Sequence, residues 1–213
     1  MSRRVVLATQ NEHKVYELRQ ILAEVCRDLD LEIVGASDFP DIPDVAETEV
    51  TFAGNARLKA EALSAATGLP ALADDSGLAV DVLGGCPGVF SARWSGSHAG
   101  PGAARADKDR ANLSLLLEQL ADVPDQHRSA AFVCAAVLVV PGREAITREG
   151  RVTGRIGHTP RGTNGFGYDP IFVPDHDPSR TLAEFTDTEK NAISHRGNAF
   201  RAMESVLRDA LAL

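Results

Sequence analysis

Adjacent carboxylates behind an apolar run, Asp74-Asp75-Ser76-Gly77 after Pro70 to Ala73, are the most concentrated acid–base chemistry in the chain. Two consecutive side chains cannot point the same way if extended geometry persists. One carboxylate can then serve a metal ion or a water while the other caps or satisfies backbone donors. Glu47, in an acidic stretch upstream, could join it on Mg2+, which takes oxygen ligands and commonly binds through one or two carboxylates plus substrate phosphates. Thr9-Gln10-Asn11-Glu12-His13-Lys14 lies where an apolar strand turns into a helix, so free backbone N–H groups, the Thr9 and Asn11 side chains and the Lys14 charge suit a phosphate. In Arg161 to Pro170, glycines flank Phe166, and Phe166 or Tyr168 could stack on a base while Asp169 accepts hydrogen bonds from a base or from neighbouring backbone. Finally, Lys190, His195 and Arg196 gather donors about one and a half turns apart, if that stretch is helical, and suit an anionic or carbonyl-rich ligand.

Each segment has a plainer alternative. Asn11 can merely cap a helix, Asp-Ser-Gly is common turn chemistry, Glu47 can be a solvated loop residue, Phe166 can anchor a loop, and Lys190, His195 and Arg196 can complement a helix dipole. Neither G-x-x-x-x-G-K-[ST] nor G-x-G-x-x-G occurs after the first strand.

The elements that must position these groups follow from periodicity. Arg3 to Thr9 is a β-branched strand, and Val15, Leu18, Ile21, Leu22 and Val25 predict one amphipathic helix after it. Leu31 to Val34 is a short strand, and Asp38 to Glu49 a loop. Thr51 caps a helix carried by Phe52, Ala56, Leu58 and Leu63 to Gly68. Pro70 to Ala73 and Leu78 to Leu83 are expected as two strands around a sharp Asp74–Gly77 turn, followed by glycine-rich stretches at 84–88 and 95–102. Asp107 is expected to cap a helix with Leu113, Leu116, Leu117 and Leu120 on one face. Ala130 to Val140 predicts a strand buried on both faces; Glu144 to Ile156 predicts one or two more, and Ile171 to Val173 another after the Gly162–Asp169 loop. Thr186-x-x-Glu189 is a capping box opening a C-terminal helix that continues through Ala199, Met203, Val206, Leu207 and Ala210. The class is α/β, with a mixed sheet and flanking helices, in one domain (1–213) of two intimate lobes around a cleft.

Length and composition bound the rest. At roughly 150 residues per domain, 213 residues suit one large domain. With 44% hydrophobic and 24% charged residues the composition is ordinary for a globular protein. Lys+Arg 22 against Asp+Glu 30 gives a net charge of −8, which repels a phosphate backbone and argues against nucleic acid as a partner. No apolar window reaches membrane-spanning length, and no secretory signal is evident, so no membrane partner and a cytoplasmic location are expected. Three scattered cysteines without C-x-x-C, Cys26, Cys86 and Cys134, read as buried free thiols rather than disulfides or a zinc site.

Taken together, these segments resemble the inosine triphosphate pyrophosphatase family, whose members hydrolyse deaminated purine nucleoside triphosphates to the monophosphate and pyrophosphate. The resemblance runs nearly the whole length and is most specific in ADDSGLAVDVLGGCPGVFSARWSG from Ala73, GFGYDPIF from Gly165 and EKNAISHRG from Glu189. It implies that Thr9, Gln10, Asn11, Glu12, His13 and Lys14 hold the triphosphate, with Lys59 a further phosphate contact. Asp75 would be the general base and a metal ligand, Glu47 the second ligand, and Ser76 a substrate contact. Phe166, Gly167, Tyr168, Asp169, Lys190, His195 and Arg196 would form the nucleoside pocket. In the first loop the family usually has Thr-Gly-Asn-x-Gly-Lys, whereas Gln10 and His13 stand here in place of the glycines. The resemblance also implies an elongated mixed sheet with a nucleotide cleft, and a homodimer. Dependence on Mg2+, with Mn2+ as substitute, fits an all-oxygen ligand set. Arg196 and His195, as donors, would favour the O6 acceptor of hypoxanthine and xanthine over the N6 amino group of adenine. Two other functions stand beside this one: a nucleotide sensor without turnover, and a dinucleotide-dependent oxidoreductase, which would need the missing glycine fingerprint.

Overall fold

The computed structural model describes residues 3–9, 12–39, 42–43 and 45–211. The elements are β1 (Arg3–Leu7), α1 (Glu12–Ile21), α2 (Ala23–Asp28), β2 (Leu31–Gly35), α3 (Phe52–Thr67), β3 (Ala71–Val80), α4 (Arg105–Gln119), β4 (Ser129–Val139), β5 (Ile146–Ile156), β6 (Phe172–Pro174), α5 (Asp187–Ile193) and α6 (His195–Leu211). The strands form one six-stranded sheet in the order β2-β1-β3-β4-β5-β6. It is mixed: β1 runs parallel to both β2 and β3, while β5 and β6 are antiparallel. None of the described helices is long and apolar enough to cross a membrane.

The chain forms two compact units, one of Met1–Asp75, Cys134–Gly150 and His195–Leu213, the other of Ser76–Val133 and Arg151–Ser194. In the first unit, strand alternation sorts side chains onto two cores. Leu72 on β3 and Cys134, Ala136 and Leu138 on β4 pack with α1, α2 and the α6 residues Phe200, Met203 and Leu207. Ala73, Val137 and Val139 pack instead against Ala56 and Ala60 of α3. Burial on both faces is the reason β4 is almost continuously apolar. Of the cysteines, Cys134 is buried and Cys26 and Cys86 partly so; all three are free thiols.

The second unit is built around Leu113 and Leu116 of α4 and its C-cap Leu120, packed with Leu78, Val80, Phe132, Ile156 and Phe172. The Phe132 and Phe172 rings are tilted at 52° with centroids 4.7 Å apart. Within it Arg128, 1% exposed, donates to four carbonyls: Nε to Ile156 (2.8 Å), Nη1 to Leu120 (2.6 Å) and Val123 (3.3 Å), and Nη2 to Gly157 (2.9 Å). Burial pushes its guanidinium pKa down from the usual value.

Several local expectations are met. Thr51 caps α3 by accepting from Gly54 N at 3.0 Å, the helix stops at Gly68, and Thr186 and Glu189 form a reciprocal capping box. Four are corrected. The helix after β1 divides at Leu22 into α1 and α2. Asp107 does not cap α4; Ala104 holds that position and Asp107 pairs with Arg110. The C-terminal helix breaks at Ser194, whose ψ of 146° is extended, so Lys190 on α5 and His195-Arg196 on α6 do not share one helix. Most consequentially, Asp74 to Gly77 is no turn: β3 runs unbroken through it. Asp and Ser make turns when their side chains bond the local backbone. Here both carboxylates are engaged by distant residues instead, as described next.

Candidate active site

In the first unit, β1 leads through α1 and α2 to β2 on one side of itself, and α3 then brings the chain back to β3 on the other. The carboxyl end of β1, in register with Leu72 near the start of β3, therefore lies at a point where the strand order reverses, the place where open α/β sheets bind ligands. Leu7 is in register with Leu72, so Thr9 follows β1 just as Asp74 follows Leu72. Gln10 and Asn11 lie outside the described residues; of Glu12, His13 and Lys14 the backbone is described, opening α1. The ten-residue α1 begins at Glu12, shortly after β1 ends at Leu7.

Asp75 faces α3. Its Oδ2 accepts a hydrogen bond from Asn55 Nδ2 at 3.1 Å, and its Oδ1 lies 3.7 Å from Lys59 Nζ. The same ammonium donates to Glu47 Oε1 at 3.0 Å. Asn55 and Lys59 are one turn apart on α3 and so share a face. The Asn55 side chain also accepts from Glu49 N at 2.9 Å, tying the loop that carries Glu47 to the helix. All three charged side chains keep some solvent exposure: 31% for Glu47, 17% for Lys59 and 12% for Asp75. Two carboxylates thus converge on one ammonium, an acidic cradle whose oxygens could hold a divalent cation. Ser76 follows Asp75 on the strand, partly buried.

Asp74, on the other face of β3, is 3% exposed and pairs with Arg196, its Oδ2 3.3 Å from Nε. Arg196 is itself 5% exposed. It reaches Asp74 from the first turn of α6, which lies unusually close to β5: a Cβ on Gly150 would come within 2.1 Å of His195 O and 2.3 Å of Ala199 N. No side chain fits between strand and helix there. His195 is half-buried.

The second unit organises the aromatic loop. Asp169 Oδ2 accepts from Phe166 N at 2.8 Å and from Lys190 Nζ at 2.7 Å. The loop closes so tightly that a Cβ on Gly165 would sit 2.2 Å from Asp169 Oδ2, and Gly165 has φ +77°. Gly167 also has positive φ, at 62°. Of the two aromatics, Phe166 is 53% exposed with Lys190 Nζ 5.0 Å from its ring centroid. Tyr168 is buried, donates to Ser91 O at 3.0 Å, and has its phenol pushed well above the usual pKa by burial. Phe166 is thus the exposed ring of the two, while Tyr168 anchors the loop and Asp169 accepts from the backbone.

The sequence profile of the Ham1 family matches residues 5–206. The chain belongs to the Ham1 family. It is 57% identical over 208 residues, 98% of each chain, to a protein of Streptomyces avermitilis named dITP/XTP pyrophosphatase. Among solved structures, a Ham1 protein from Coxiella burnetii is similar at a TM-score of 0.82 and 41% identity, covering 97% of this chain and 99% of that one. A structure from Mycobacterium abscessus, named nucleoside-triphosphatase and dITP/XTP pyrophosphatase, has a TM-score of 0.77 and 48% identity, with 94% and 97% coverage.

This Ham1 chain offers only oxygen donors at its cradle. No cluster of three or more His, Cys, Asp or Glu among the described residues is placed to hold a metal. Two carboxylates without imidazole or thiolate suit Mg2+ completed by water and phosphate, and do not suit zinc. Sequence reasoning missed Asn55 altogether, although an amide on the same helix face as Lys59, one turn earlier, was the available signal. Arg196, which the sequence offers to a base, is paired with Asp74.

Proposed function

We propose that this Ham1 protein is a pyrophosphatase of deaminated purine nucleoside triphosphates (inosine, deoxyinosine and xanthosine triphosphates), releasing the monophosphate and pyrophosphate. The observation that carries the proposal is the convergence of Glu47 and Asp75 on Lys59 at the middle of β3, just past the level where β1 ends beside it. Relatives named dITP/XTP pyrophosphatase over nearly the full chain support the substrate class.

A triphosphate carries about four negative charges, which must be neutralised before a nucleophile can approach phosphorus. Glu47 and Asp75 would hold a Mg2+ ion, which when bound supplies charge neutralisation and lowers the pKa of water. Lys59, released from the carboxylates when the cation enters, would pair with phosphate oxygens, as would the N-terminus of α1 with Thr9 and Lys14. Asp75 would orient the attacking water and take its proton as the new P–O bond forms and the bond to the leaving group breaks. On the second unit, Phe166 would stack on the purine, and Lys190, already close to the ring face, would add a donor. The family resemblance further supports a cytoplasmic homodimer.

The test is incubation with inosine triphosphate and Mg2+, with pyrophosphate measured, beside ATP and nicotinamide dinucleotides. Pyrophosphate from inosine triphosphate but little from ATP is expected. Equal rates on the two would defeat the substrate class, tight binding without turnover would favour a sensor, and excess chelator should abolish the reaction if the cradle holds a metal. Hydrolysis in ¹⁸O-water assigns the attacked phosphorus.

A further inference from the structure

Asn55 is wholly buried in the first turn of α3, a place where an amide gains nothing from helix propensity and must be satisfied by tertiary partners. Both ends of its side chain are used. Nδ2 donates to Asp75 Oδ2, and Oδ1 accepts from the backbone N–H of Glu49. These partners belong to the two halves of the cradle: Asp75 is one carboxylate, and Glu49 is two residues beyond Glu47, the other.

We propose that Asn55 is the positioning residue of the cradle, one amide that fixes the Asp75 carboxylate and the Glu47 loop relative to each other. With Oδ2 of Asp75 held by Asn55, Oδ1 is the oxygen turned toward the cation position that Lys59 marks. The bond to Glu49 N anchors the loop at the point where it enters the helix, between Glu47 and the Thr51 cap. The amide is suited to this because it donates and accepts at two different atoms of one rigid plane. A carboxylate there would repel Asp75, and a hydroxyl, whose donor and acceptor share one atom on a short stem, would have to meet both partners from a single point.

The inference rests on reading Glu47 and Asp75 as cation ligands, and its test separates the two. Mn2+ binding to the intact, nucleotide-free protein is measured by electron paramagnetic resonance for the parent, Asn55→Ala, Asn55→Ser and Asp75→Asn, with thermal unfolding and circular dichroism alongside. Groups that orient metal ligands typically change affinity by about 10- to 100-fold when removed. A weakening of that size in Asn55→Ala is expected, with a smaller one in Asn55→Ser. In an Asp75→Asn background, measured as the double variant, Asn55→Ala should cost less than it does in the parent, because only its hold on the Glu47 loop remains. Mn2+ affinity within twofold of the parent in both Asn55 variants would overturn the proposal alone, whatever their stability. A parent with no Mn2+ site would overturn the metal reading and the proposal with it. Failure of both variants to fold would assign Asn55 to architecture and equally overturn it.

Discussion

Asp74 and Asp75 are neighbours on β3 yet look in opposite directions, Asp74 to Arg196 of α6 and Asp75 to Asn55 and Lys59 of α3. The pleat alone separates them. One carboxylate is buried and neutralised by a guanidinium; the other keeps some exposure and faces an ammonium that phosphate could draw away. Their substitution should therefore give different phenotypes.

Asp75→Asn should leave the fold intact and remove turnover. Loss of a general base alone costs about 10²–10⁴-fold, and loss of a cation ligand adds to it. Pyrophosphate release and nucleotide binding by calorimetry are the measurements. Turnover within threefold of the parent takes Asp75 out of the mechanism.

Arg196→Ala should unfold the protein before it alters specificity. It strands Asp74 in a site where both side chains are almost fully buried, and breaking such a pair costs about 3–5 kcal/mol. Urea denaturation should show that loss, and Asp74→Asn in the same chain should recover part of it. A variant as stable as the parent, with raised activity on ATP, would restore Arg196 to the role of base reader.

Arg128→Lys should destabilise the second unit, because one ammonium cannot reach the carbonyls of Leu120, Val123, Ile156 and Gly157 that the guanidinium fork holds. Each buried acceptor left unmade costs about 1–3 kcal/mol. A clear drop in thermal midpoint with lysine, and a larger one with alanine, is expected; an unchanged midpoint for both would refute the account.

Acid should weaken the second unit. Asp177 is held at about 2, chiefly by its hydrogen bonds with Ser179 and Arg180. Backbone bonds from Thr181 and Thr186 hold Glu184 and Glu189 below the usual range. Their pKa values are lowered on folding, so this stability is complete above the ordinary values of 3.8 and 4.5 and is lost as pH falls toward about 2. Thermal midpoints between pH 6 and pH 2 should fall less steeply in Asp177→Asn with Glu189→Gln than in the parent. Parallel curves would count against it.

What the sequence disclosed was what local chemistry specifies. Thr51 as a cap, Gly68 as a stop and Thr186 with Glu189 as a capping box all act within a few residues. The α/β class followed from the alternation of periods, and the functional segments from their order. What it withheld depends on distance along the chain. Asn55 meets Asp75 across 20 positions and Arg196 meets Asp74 across 122, and neither partner is readable from the residues beside it. The supposed turn at Asp74 to Gly77 had the same cause: side chains that make turns when left to themselves were claimed by partners far away.

The dependence of Asp74 on α6 also sets an order of events at the ribosome. At about 5–20 residues per second, the 122 positions between Asp74 and Arg196 take on the order of ten seconds to synthesise. For that interval the nascent first unit lacks the Arg196 partner of Asp74 and has a core face still without Phe200, Met203 and Leu207. In the first unit α6 is the keystone. A chain stopped at Ser194 should therefore be a substrate for chaperones and proteases rather than a crippled enzyme, so that aborted translation products remove themselves from the cell.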